Sequence, residues 1–167
     1  MKTVFQIKAL SFLLCAVLLS TAAMAQSPHK GVKGTVAGAN ITIRYGSPSV
    51  KGRKIWGGLE PYGKVYRAGA DSATTFTTDK DIMVEGKKLP KGKYSFFVIP
   101  VEKGPWTVIF NKTAEQWGAF KYDQAQDALR VMVTPKAHAM TESLTYVFSK
   151  TGFSMDWDKV SVPVSIK

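Results

Sequence analysis

Cysteine is almost missing from this chain. The single one, Cys15, falls in the first 25 residues. That opening reads as a secretory signal: Lys2 and Lys8 give a positive end, Ala9 to Leu19 an apolar middle, and Ala23-Met24-Ala25 a small-residue cleavage pattern. Cleavage would leave Gln26 first and no thiol at all, which excludes disulfides, cysteine-ligated metals and thiol catalysis together. Cys15 follows Leu13-Leu14 with no small residue before it, an argument against lipid attachment. The apolar middle is also well short of the ~20 residues a spanning helix needs. The expectation is an exported, periplasmic protein that does not span the membrane.

Histidine is scarce too. His29 and His138 are the only two, each in polar, proline-containing surroundings, and there is no GxSxG elbow, so serine hydrolysis lacks both base and nucleophile. Acids number 12 against 23 lysines and arginines. The close acidic pairs are Asp79/Asp81, Asp123/Asp127 and Asp156/Asp158, without a DxDxDG loop, so neither a metal nor another cofactor is expected. A glycosidase pair would need Glu60 as the second carboxylate beside Asp71, since no other acid lies between them. No catalytic residue is assigned, and a non-enzymatic role is expected. Loss of Lys2 and Lys8 takes the formal charge from +11 to +9. That excess points to anionic partners such as lipopolysaccharide, lipid head groups or acidic glycans. Nucleic acid is set aside for an exported chain.

What is present is β pattern. Residues 26–39 are polar, glycine-containing and weakly patterned, and read as a flexible start; 40–167 read as one domain, long enough to bury about two-thirds of its unfolded surface. Ile41, Ile43 and Tyr45 alternate with polar residues, as do Trp106, Val108 and Phe110, then Leu129, Val131 and Val133, and Leu144, Tyr146 and Phe148. Thr74 to Thr78 and Ile82 to Val84 are β-rich, with a turn at Glu85-Gly86. Tyr94 to Val101 is apolar on both faces, the mark of a central strand, and should pair as a hairpin with the Trp106 strand. LPKGKY has the spacing of a tyrosine corner at Tyr94. Phe153 to Trp157 and Val160 to Ile166 read as two further strands, the last with Pro163 at an edge. Residues 112–126 show no alternation and read as a short helix or ordered loop carrying Trp117. These spacings predict an all-β, single-domain antiparallel sandwich, jelly-roll-like, of about eight or nine strands.

One stretch exceeds what strand packing requires. Tyr45 to Thr78 concentrates glycine, five basic residues, three tyrosines and Trp56 in one long connection. Arg53 and Arg67 can grip carboxylate, phosphate or sulfate through paired hydrogen bonds, or pin their own loop by bonding its carbonyls. Trp56, Tyr62 and Tyr66 offer faces that stack on sugars or cations, or a small core beneath the loop. Asp71 stands near Arg67 and should be ionised there. These six are the candidate ligand-binding residues. Asp71-Ser72-Ala73 also fits a short O-glycosylation acceptor pattern of Bacteroidota.

KGRKIWGGLEPYGKVYRAGA, VEGKKLPKGKYSFFVIP, WTVIFNK and QWGAFKYD, in this order, make the chain resemble DUF2911, a family of mostly exported bacterial proteins of unknown function. The resemblance runs from residue 45 to the C-terminus and implies no activity. The chain departs where the family usually reads YSRPS and WRTGAN: Gly46-Ser47, Tyr66 and Asp71 stand instead. The reading that follows is a β-sandwich binding an anionic or carbohydrate-like envelope ligand through residues 45–78. The alternatives are an assembly factor docking a protein partner through the same loop, and an enzyme of unrecognised type using Arg67 and Asp71.

Overall fold

The computed structural model describes residues 26–167; the segment read as a signal sequence, residues 1–25, lies outside the described residues. Strands β1 (His29–Val36), β2 (Ala39–Gly46), β3 (Thr74–Thr78), β6 (Gly92–Ile99), β7 (Trp106–Asn111) and β8 (Asp127–Val133) form one antiparallel sheet in the order β1-β2-β3-β6-β7-β8. Two-residue alternation decides which face each strand buries. In β2, Ala39, Ile41, Ile43 and Tyr45 point inward while Asn40 and Arg44 face out. β6 continues the pattern with Tyr94, Phe96 and Val98 inward, yet its outward Phe97 is buried as well. Val65, Ala119 and Tyr122 cover Phe97 and Ile109 from outside, which explains why this central strand is apolar on both faces from Phe96 to Ile99.

The second layer is a long hairpin, β9 (Lys136–Ser149) with β10 (Gly152–Ser165). Its inner residues meet the large sheet in a single aromatic core. Phe96 lies 6.1 Å from Tyr146 and 5.7 Å from Phe153, and Phe76 lies 5.6 Å from Phe153, centroid to centroid. A small hairpin, β4 (Ile82–Val84) and β5 (Lys87–Leu89), turns at Glu85-Gly86 as expected. The fold is therefore all-β and sandwich-like, with one broad and one narrow layer. No helix among the described residues is long and apolar enough to cross a membrane.

The tyrosine corner is formed: the Tyr94 hydroxyl donates to the Pro90 carbonyl at 2.8 Å. The β6–β7 hairpin is formed as well. Residues 112–126 hold an ordered loop ending in one 3₁₀ turn, Gln124–Gln126. Two differences stand against the sequence expectation. Residues His29–Val36, read as part of a flexible start, are strand β1, closed onto β2 by an Ala37-Gly38 turn with both residues at positive φ. The strand lies at the sheet edge and faces solvent over most of its length, so it has no apolar alternation to display. The two C-terminal segments are one strand, because positive φ at Asp158 and irregular pairing let β10 bend without breaking. Ten strands result. Pro163 falls beyond Ser161, the last residue of β10 to pair with β9, so its missing donor costs no bond there.

Candidate functional site

The connection from Ser47 to Ala73 is pinned to both layers. The buried Ser47 hydroxyl donates to the Leu144 carbonyl at 2.7 Å. Val50 donates its N–H to Glu142, and Leu144 to Pro48. Farther on, Tyr66 exchanges two backbone bonds with Val98, taking the place on β6 that β3 leaves empty when it begins at Thr74. Gly46 permits the closure: a Cβ there would run into the Ala70 carbonyl.

This anchoring separates the six candidate residues. Arg53 serves its own loop, donating from Nε to the Val50 carbonyl at 3.1 Å and from Nη2 to the Ser49 carbonyl at 2.5 Å. Arg53→Ala should therefore lower stability by about 1 kcal/mol, seen as a lower urea midpoint, without weakening binding in the outer trough described below. Tyr62 lays its half-exposed ring over Gly57, where a Cβ would collide with it. Together with Trp106 it flanks Trp56 in a cleft of about 440 Å³. Trp56 and Tyr66 are buried. Asp71 holds positive φ and stands 3.6 Å from His29. Arg67 and Asp71 form no ion pair among the described residues.

Two arrangements emerge that the sequence did not single out. The first is interior. The rings of Trp56, Tyr66 and Trp157 are mutual neighbours, with centroids 6.0 Å (Trp56–Tyr66), 5.7 Å (Trp56–Trp157) and 6.1 Å (Tyr66–Trp157) apart. Each carries a buried donor, Trp56 Nε1, Tyr66 Oη and Trp157 Nε1, with no hydrogen-bond partner among the described residues; Arg67 Nε is a fourth. Glu60 lies close by. Burial pushes its carboxyl up to about 7 against the opposing pull of Arg67 and Arg53. Its charge in turn adds to the burial that raises the Tyr66 phenol.

The second is a trough of about 540 Å³ on the outer face of the large sheet, where the cover over Phe97 stops. Lys33 on β1, Arg44 and Thr42 on β2, Thr75 on β3 and Lys93 on β6 line it, and Tyr45 and Gly46 at the end of β2 and Ser72 of the long connection form part of its wall. Lys93 pairs with Glu115; Lys33 and Arg44 form no ion pair among the described residues. Trp117 is 62% exposed and bridges by backbone to Ser72, placing an indole beside the rim. The basic members of this face are ordinary strand residues separated by up to 60 positions in sequence, and only the sheet order brings them together.

Among the described residues no group of three or more histidines or acids is placed to hold a metal ion. No curated protein and no solved structure matches the chain. Residues 27–166, nearly all of the described chain, match the family described as "Protein of unknown function (DUF2911)", and the chain belongs to that family.

Proposed function

We propose that this is an exported, periplasmic binding protein whose ligand is an acidic glycan of the cell envelope, held in the outer trough. The supporting observation is that Lys33 and Arg44 stand on adjacent strands beside a floor of threonine hydroxyls. From β1 to β6 the trough crosses three strand spacings, about 14 Å, a length suited to a chain rather than a lone ion. Hydroxyls of Thr42, Thr75 and Ser72 both donate and accept, matching sugar hydroxyls, while the cations match carboxylate or sulfate groups. Trp117 adds an aromatic plate at the rim. The 45–78 connection takes part through Ser72 and Thr75, and the arginines first suspected within it do not line this trough.

The test is affinity electrophoresis through gels containing a uronate polysaccharide or a neutral one. Retardation is expected in the first only, with affinity reduced about tenfold, or ~1.4 kcal/mol, in a Lys33→Ala/Arg44→Ala variant. Both side chains are exposed, so the variant should fold normally. Equal retardation of this folded variant and the parent would sink the proposal.

A second reading, docking of a protein partner, draws on one observation. Phe120 is 85% exposed beside exposed Trp117, in a loop held rigid by backbone bonds from Gly118 to Asp71 and from Ala73 to Gln116. A stoichiometric crosslinked partner that is lost on Phe120→Ser and kept in the trough variant would favour it.

A further inference from the structure

We propose that Trp56, Tyr66, Trp157 and Arg67 enclose a site for a small oxyanion, separate from the trough and entered between the side chains of Glu60 and Arg67. The argument begins with hydrogen-bond accounting. A buried donor left without a partner costs about 1–3 kcal/mol. Four of them together would rival the 5–15 kcal/mol by which a whole domain is stable, so something must accept from these groups. Among the described residues nothing does.

The chemistry of the missing partner follows from the donor set. Indole and guanidinium N–H groups only donate, and Tyr66 Oη can donate as well. Water brings two hydrogens that need acceptors of their own. A carboxylate, phosphate or sulfate oxygen only accepts. Three of the four donors sit on rings packed against one another, with centroids about 6 Å apart or less. Tyr66 and Trp157 are closed to solvent and Trp56 nearly so, whereas Arg67 and Glu60 are partly exposed and form the accessible side.

Charge agrees with this. Arg67 and Arg53 both pull on the Glu60 carboxyl, which burial nevertheless holds up at about 7. The Glu60 carboxyl accepts no hydrogen bond and forms no ion pair among the described residues, the one bond that Glu60 accepts being at its backbone carbonyl, from the Gly57 N–H, so it does not already fill the place of the ligand. Protonated, it leaves the charge of Arg67 beside the four donors unopposed. Ionised, it competes with the anion. Binding should therefore tighten as pH falls through neutrality.

Trp56 and Trp157 are built-in reporters. The experiment titrates the mature protein at pH 6 with sulfate, phosphate or acetate at constant ionic strength set by chloride, following tryptophan fluorescence and melting temperature. Saturable binding of at least one of the three is expected. It should weaken at least fivefold in Tyr66→Phe and in Arg67→Lys, each checked for folding by circular dichroism, persist in the Lys33→Ala/Arg44→Ala variant, and weaken again at pH 8. The contrast among the three probes identifies carboxylate, phosphate or sulfate as the preferred group. A response that merely follows ionic strength, or is identical in folded Tyr66→Phe, overturns the proposal. So does a crystal grown in the three anions that shows only water on the four donors.

Discussion

Replacing Phe96 by alanine is expected to cost about 3–5 kcal/mol of folding stability, the range for truncating a large buried aromatic. The residue is almost fully buried and touches both layers: Phe110 of its own sheet at 5.4 Å, and Tyr146 and Phe153 of the β9–β10 hairpin. A cavity at that point removes contacts that neither layer can recover by collapsing, because each is fixed by its own ladder of hydrogen bonds. Its neighbour Phe97 is equally buried but packs outward into a small cluster with Ala73 and Ile109. Phe97→Ala should fall at the low end of the same range, since the overlying loop can settle into the gap. Urea unfolding of the two variants measures the difference. If Phe96→Ala loses less than Phe97→Ala, the two layers are not joined through Phe96.

That pair also marks what the sequence can and cannot disclose. Phe96 and Phe97 were legible as opposite faces of a central strand because alternation is a local property, fixed by the geometry of one strand. The hairpin, the tyrosine corner and the Glu85-Gly86 turn are local too, and all were legible. β1 was not, since an edge strand facing solvent needs no apolar face. The site followed the same division. Arg53 and Arg67 drew attention because they share one glycine-rich connection, yet Arg53 spends its donors on carbonyls three and four residues away. Lys33, Arg44 and Lys93 form one surface only through the β1-β2-β3-β6 order, and no short-range signal encodes strand order. Trp157 was visible as a core residue, but that its indole nitrogen would be left without a partner depended on a neighbour, Trp56, about a hundred positions away. Glu60 was visible as the second carboxylate that a catalytic pair with Asp71 would need. Its role changed when the fold buried it.

Glu60 should make the protein lose stability as pH rises from 5 to 8. Its carboxyl is pushed from the ordinary 4.5 up to about 7 by burial, so between those values the folded protein holds a proton that the unfolded chain has released. The contribution is fully present below about 4.5 and is lost as pH climbs through 7. Two and a half units correspond to roughly 3.4 kcal/mol at 1.36 kcal/mol each. The group is partly open to solvent, and screening reduces this to about 2 kcal/mol. Asp79, Asp81 and Glu115 run the other way: hydrogen bonds from Asn40, Lys88 and Lys93 respectively hold them low, so their contributions fade only under more acid conditions and do not enter the 5–8 window. The measurement is urea unfolding across that window in chloride alone, which keeps oxyanion binding from adding to the slope. Wild type is expected to lose about 2 kcal/mol more than Glu60→Gln, whose neutral side chain has no proton to release. Parallel curves for the two proteins would mean that Glu60 titrates at its ordinary value, and that the space beside Tyr66 and Arg67 is wetter than its burial indicates.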